Sequence, residues 1–253
     1  MLRQAKEFTS LKLQARDGDI GKAREFYFDD RYWTVRYLVA DTAGWLSGRQ
    51  VLISPYALSP INYDERVLPV DLTQKQIEQS PPIDSDQPVS RQYEIQYHGY
   101  YGWPYYGYGS QLWGASPSIV RDPEAWKEMM LQEETWDHNL RSTVNVTGYY
   151  IQALDGGIGH VEDFIIDDET WSIRYLVVDT KNWWVGKHVL VSPQWIERVS
   201  WNESKVFVNL SRAVIKGSPE YSPESLNRGY ETELYRYYDR IGYWADELAD
   251  KRP

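Results

Sequence analysis

Two pairs of adjacent carboxylates, Asp29-Asp30 and Asp167-Asp168, have the residue type needed to move protons or to hold a divalent cation. Each pair sits between two strand-like runs, where neighbouring acidic residues serve a hairpin turn, and the structural reading is preferred. Arg36 with Asp41, and Arg174 with Asp179, are expected to form ion pairs that hold structure. His98, His138, His160 and His188 offer imidazoles for a metal or a general base. His160 and His188, however, correspond to Lys22 and Gln50 at 138 positions earlier, so neither is shared between the copies and no metal site is expected. Ser54 and Ser192 precede prolines and read as strand stops. The chain carries no Ser-His-Asp order with supporting motifs, no glycine-rich phosphate cradle before a helix and no His-Glu-x-x-His.

The absence of cysteine excludes disulfides, thiolate metal sites, iron–sulfur clusters and thiol nucleophiles. A net charge of −10 with no Lys/Arg run argues against nucleic acid and anionic lipid as partners. No apolar run reaches the roughly 18 to 20 residues of a spanning helix, and the first residues lack the apolar stretch of a secretory signal. A cytoplasmic protein without membrane insertion is therefore expected. The 21 Tyr and 12 Trp against 5 Phe are the unusual feature: such rings bury area and keep a polar handle, which suits half-exposed surfaces.

These residues are set out twice. Asp17-Gly-Asp-Ile-Gly returns as Asp155-Gly-Gly-Ile-Gly, an offset of 138 that continues without a gap. Trp33 meets Trp171, Arg36-Tyr37-Leu38-Val39 meets Arg174-Tyr175-Leu176-Val177, and Val51-Leu52-Ile53-Ser54-Pro55 meets Val189-Leu190-Val191-Ser192-Pro193. The register holds to Ser80-Pro81 and Ser218-Pro219, then resumes at an offset of 137, where Tyr93, Tyr100 and Tyr101 meet Tyr230, Tyr237 and Tyr238.

Within each copy the signals are those of a meander of short strands. Trp33, Val35, Tyr37 and Val39 alternate with their neighbours at a period of two, predicting a strand with one face on a core. A β-rich segment from Ala23 to Phe28 precedes it, Arg49 to Ile53 follows and stops at Pro55, and last strands are predicted at 67–72 and 205–210. Thr73 and Gln76 have capping-box spacing, and Ser211 can cap the matching short helix. Tyr93, Tyr97, Tyr100 and Tyr101, like Tyr230, Leu234, Tyr237 and Tyr238, fall on one face of a helix. A further helix is predicted from Pro123 to about Asn139, with Asp122 as its N-cap.

The ordered set of Gly-x-Ile-Gly, a strand ending in Asp-Asp, Trp-x-Val/Ile-Arg-Tyr-Leu-Val-x-Asp-Thr, and Trp-x-x-Gly-Arg/Lys-x-Val-Leu-Ile/Val-Ser-Pro resembles the PRC-barrel family over residues 10–81 and 148–219. The resemblance implies a compact β-barrel, found in the cytoplasmic part of the photosynthetic reaction-centre H subunit, in a ribosome-maturation factor and as a free-standing prokaryotic module. The expected fold class is mainly β: two tandem small PRC-type barrels with short helices and aromatic helical tails. Residues 1–81 form the first module, 82–145 an aromatic tail and linker, 146–219 the second module and 220–253 the C-terminal tail, with each barrel keeping its own strands.

Function follows the same line. The expectation is a non-catalytic interaction or scaffolding protein, with no cofactor and with a protein partner or a second copy of itself. Its candidate surface is Trp45, Leu46, Trp183 and Trp184 in the loops, with Tyr93, Tyr97, Tyr230 and Tyr237 in the tails. The alternative is a cytoplasmic accessory of a membrane electron-transfer assembly, by analogy with the reaction-centre H subunit. A hydrolase or metal-dependent enzyme working through the Asp pairs is the least favoured class.

Overall fold

The strand order repeats along the chain as the offset predicts. The computed structural model describes residues 1–30, 32–42, 46, 49–81, 91–103, 140–180 and 186–245, with side chains in the 91–103 stretch described from residue 94. The first half carries β1 (Leu2–Gln4), a helical turn at Ala5–Phe8, β2 (Lys12–Ala15), β3 (Gly18–Asp29), β4 (Thr34–Asp41), β5 (Gln50–Ile53), a 3-10 turn at Pro55–Ala57, β6 (Val67–Pro69), α1 (Gln74–Glu78) and α2 (Arg91–Tyr101). The second carries β7 (Leu140–Ser142), a helical turn at Thr143–Val146, β8 (Tyr150–Ala153), β9 (Gly156–Asp167), β10 (Ile173–Asp179), β11 (His188–Val191), a 3-10 turn at Pro193–Trp195, β12 (Ile196–Ser200), β13 (Lys205–Val208), α3 (Arg212–Gly217) and α4 (Arg228–Tyr237). The molecule is mainly β, with two sheets and short helices. The helix predicted from Pro123 to Asn139 lies outside the described residues.

One sheet runs β5-β4-β3-β2-β6 and the other β11-β10-β9-β8-β13-β12. The described ladders are open paths, so the closed barrels expected from strand spacing are not formed by them. Proline supplies one reason: β5 and β11 stop at Pro55 and Pro193, and β6 ends on Pro69, where the missing N–H ends the pairing. The pattern is also not a pure meander. β6 returns parallel to β2, Leu13 opposite Leu68, and β13 returns parallel to β8, Ile151 opposite Val206.

Two compact units result, each described by itself. Unit 1 holds Met1, Ala5–Asn145 and Ile166–Ile173; unit 2 holds Leu2–Gln4, Val146–Ile165 and Arg174–Pro253. The division departs from self-contained copies at the hairpin tip 166–173 and at Leu2–Gln4. Two short strands pair with the long strand of the other copy: β7 lies against β3, with Phe28 opposite Arg141, and β1 pairs with β9.

In unit 1, Trp33 and Trp171 are turn residues, with φ of 55° and 58°, and β4 begins only at Thr34. This corrects the expectation that Trp33 opens the alternating strand. The two turns bond to each other: the Ile173 amide donates to the Trp33 carbonyl at 2.7 Å, and the Val35 amide to the Trp171 carbonyl at 2.8 Å. Trp33 stacks on Phe28 at 5.3 Å, while Trp171 packs on Phe8 at 5.8 Å and Phe26 at 6.1 Å. Both indoles are buried, as expected, but within unit 1 and against different neighbours, so the two do not occupy equivalent places.

Strand β4 is buried on both faces from Thr34 to Ala40, although its sequence predicts one. The Val35, Tyr37 and Val39 face is the expected one, and α2 covers part of it: Tyr37, Val39, Leu52, Tyr97 and Leu140 form one apolar cluster. Arg36 lies on the opposite face, fully buried, with Nη2 at 3.6 Å from Asp29. Asp41, the partner expected for Arg36, stands five residues on along the same strand, where the pleat turns its side chain to the opposite face, and it is exposed. Arg174 lies over the Tyr243 ring in unit 2, 4.0 Å from its centroid.

The Gly-x-Ile-Gly motif has a steric cause. Gly21 adopts φ of +116°, and a Cβ there would come within 1.9 Å of the Asp41 carbonyl oxygen; its mate Gly159, at φ of +158°, would clash with the Asp179 carbonyl at 2.2 Å. The strands pass too closely for any side chain.

Candidate functional site

The aromatic tails are built on a repeated set of clamps. In unit 1, Thr73 closes a full capping box with Gln76 and starts α1. Tyr100 of α2 donates its hydroxyl to the Gln76 carbonyl at 3.0 Å, and Arg49 donates to the carbonyls of Glu78 and Ser80. In unit 2 the mates do the same: Ser211 caps α3, Tyr237 donates to the Val214 carbonyl at 2.8 Å, and Lys187 donates to the Ser218 carbonyl at 2.5 Å. Each tail helix is thereby fixed to the short helix after the last strand.

The tails then diverge. Unit 2 closes its aromatics inward: Tyr230, Leu234, Tyr235 and Tyr238 are buried, and Trp195 packs on Tyr238 at 4.2 Å and Tyr235 at 5.4 Å. Glu231, 2 % exposed, accepts hydrogen bonds from Tyr175 at 2.8 Å and Tyr243 at 2.9 Å and pairs with Arg228 at 3.1 Å. Burial raises the Tyr175 and Tyr243 hydroxyls well above the ordinary tyrosine range, and it pushes Tyr238 up to about 12. These phenols stay protonated and hold a closed network.

Unit 1 leaves its aromatics open in layers. Tyr97 is fully buried, donates to the Leu52 carbonyl at 2.5 Å and meets Tyr37 edge-on at 5.3 Å. Outside it, Tyr101 and Trp103 stack at 4.3 Å with 12° between their planes, both half-buried, and burial pushes Tyr101 up to about 12. Tyr56 reaches Trp103 at 5.6 Å and Tyr100 reaches Tyr101 at 4.8 Å; these two are 42 % and 41 % exposed. Tyr56 stands in its 3-10 turn because Ser54 caps its amide and Pro55 takes the first position, where no donor is needed. The result is a rim of amphipathic rings over a rigid buried anchor, a surface able to take up another protein's apolar side chains and to hydrogen-bond at its edge.

The structure places the expected surface residues as follows. Tyr97 and Tyr230 face the interiors of their own units, Tyr237 is 40 % exposed but held by Val214, and Leu46 is half-buried. Trp45, Trp183 and Trp184 and the side chain of Tyr93 lie outside the described residues. Tyr56 and Trp103, the rim's outer pieces, escaped the sequence reading; the only signal was the Tyr/Gly/Trp/Pro stretch that begins at Gly99.

The acidic pairs serve turns and pairing. Asp29 accepts from the Tyr32 amide at 3.2 Å, Asp30 pairs with Arg141 at 3.0 Å, Asp167 accepts from Thr170 at 2.8 Å, and Asp168 accepts from Tyr63. Among the described residues, no helix is long and apolar enough to cross a membrane.

A comparison with the curated proteins finds no match. A family model does match, over residues 153–215, and it is that of the PRC-barrel domain. The matched span runs from the end of β8 into α3, so this segment of the second copy is similar to the PRC-barrel domain.

Proposed function

We propose that the chain is a non-catalytic interaction module that holds a protein partner on the open aromatic rim of unit 1, through Tyr56, Tyr100 and Trp103. The carrying observation is the gradient within one stack, from the fully buried Tyr97 to Tyr56 at 42 % exposure. Exposed aromatic rings on a fixed base lose little side-chain freedom on binding, which is why Tyr and Trp dominate the energetic centres of interfaces. A PRC-barrel domain is itself suggestive of an interaction module. The acidic pairs, engaged in turns and ion pairs, support a reading without catalysis. The accessory role in an electron-transfer assembly rests on analogy with the H subunit alone.

Affinity purification from native cells tests the reading, comparing the full chain with Tyr56→Ser/Trp103→Ser. A partner recovered in stoichiometric amount with the parent and lost with the variant is expected, circular dichroism remaining unchanged. Retention of the same partners by the variant overturns it. If the parent self-associates in light scattering and the variant does not, the partner is a second copy of the chain.

A further inference from the structure

Unit 2 contains a group of side chains unlike anything at the mate positions of the first copy. Asp179 ends β10 and stands directly opposite His188, which begins β11; Glu162 reaches them from the neighbouring strand β9. One ligand atom from each lies within 4.8 Å of the other two. His188 Nε2 and Glu162 Oε2 are 2.6 Å apart, both atoms are shut off from solvent, and neither is in hydrogen-bonding geometry with any described group. Residues paired directly across an antiparallel ladder project to the same face, so the strand register itself brings the Asp and the His together.

Charge points the same way. The mates of Glu162, Asp179 and His188 are Arg24, Asp41 and Gln50, so the position that carries a glutamate in the second copy carries an arginine in the first. The second copy thus gathers two carboxylates around an imidazole, one of them nine-tenths buried, and Lys187 next door is committed to the Ser218 carbonyl. Like charges held this close in a half-buried site call for a counter-cation. The structure assigns Glu162, Asp179 and His188 as a site for a divalent transition-metal ion, with Zn²⁺ as the fitting species.

The donor set supports that choice. One imidazole nitrogen with two carboxylate oxygens suits zinc, whereas magnesium and calcium prefer oxygen donors throughout. Bonds of about 2.1 Å in tetrahedral array put ligand atoms about 3.4 Å apart. The separations here, 2.6 Å for the closest pair and up to 4.8 Å overall, bracket that value, so small side-chain rotations admit the ion. Three protein ligands leave a fourth position for water or for a donor from elsewhere. This reverses the sequence expectation, which discounted His188 because Gln50 is its mate; a site can belong to one copy.

Calorimetric titration of ZnCl₂ into the chelator-treated full chain is the test. One Zn²⁺ per chain is expected, with MgCl₂ and CaCl₂ binding at least about tenfold more weakly. His188→Gln with Glu162→Arg, the residues of the first copy, should weaken zinc binding at least about tenfold, and His160→Gln should leave it unchanged. No heat with zinc, or equal binding by the double variant, overturns the site. If the double variant fails to fold, histidine proton resonances of the parent chain decide: zinc must shift the ring protons of one histidine that persists in His160→Gln and is missing from His188→Gln. Equal shifts at several histidines, or none, also overturn it.

Discussion

The carbonyl oxygen of Trp33 accepts a hydrogen bond of 2.7 Å from the amide of Ile173, a residue 140 positions away along the chain. Its counterpart, Val35 to Trp171, closes the pair, and Thr34 bridges Ser172 between them. Two tryptophan turns with left-handed backbone thus complete unit 1, and Trp171 supplies its aromatic core beside Phe8 and Phe26. Trp171→Ala should destabilise unit 1 by about 3–5 kcal/mol, the usual cost of emptying a large buried aromatic site. Denaturant unfolding followed by the fluorescence of the remaining tryptophans measures it. A midpoint equal to that of the parent chain contradicts the assignment of Trp171 to that core.

Gly21→Ala should cost about 1–3 kcal/mol, and Gly159→Ala a similar amount, because each Cβ would lie within 2.2 Å of a backbone carbonyl that cannot rotate away. Thermal unfolding of the two single variants checks this. Unchanged midpoints would mean that the strands separate more readily than the register implies.

Removing residues 220–253 takes away Tyr230, Leu234, Tyr235 and Tyr238, all buried, and leaves Tyr175 without Glu231. The truncated chain should melt earlier or change its oligomeric state. Leu234→Ala alone should cost about 2–5 kcal/mol. A truncated chain with the parent's melting curve and size in light scattering would show the tail to be an independent arm.

The buried phenols make stability sensitive to alkali. Tyr101 and Tyr238 are pushed by burial from an ordinary value of 10.0 up to about 12, and Tyr175, Tyr230, Tyr235 and Tyr243 are raised as well. Above pH 10 the unfolded chain releases these protons while the folded chain keeps them, so the folded state binds more protons and stability falls as pH rises. Full stability is expected below pH 10, with loss progressing through pH 12. Absorbance of tyrosinate and far-ultraviolet circular dichroism, recorded together, should show the buried phenols ionising as the fold is lost. Ionisation of all tyrosines at pH 10 with the fold intact contradicts the closed network.

Much of this was readable from residue order. The repeated pattern located β3 to β5 and β9 to β11, and Thr73 with Gln76 announced a cap that the structure carries in full. Local pattern failed where distant segments decide. Leu2-Arg3 and Leu140-Arg141 repeat at the same offset, but three residues are too few for a periodicity, and only pairing with β9 and β3 makes them strands. Trp33 was read into a strand because bulky residues rarely take positive φ, and here two such turns hold each other in place. The alternation of β4 announced the core face of Tyr37 and Val39, but not that the opposite face, with Arg36 and Leu38, is buried too. Tyr56 and Trp103 share no sequence spacing, and Glu162, Asp179 and His188 come from three strands, so neither group announces itself in one dimension.

The central claim is that a protein partner sits on the aromatic rim of unit 1, and site-directed photocrosslinking tests it most directly. A photoreactive phenylalanine analogue would replace Tyr56, which is 42 % exposed on the rim, and, as a control, Tyr150, which is 60 % exposed on unit 2. After irradiation in native cells, position 56 should give one discrete adduct whose mass identifies the partner, and position 150 should give none of that species. No adduct at position 56, or the same adduct at equal yield from position 150, would contradict the assignment of the rim as the interaction surface.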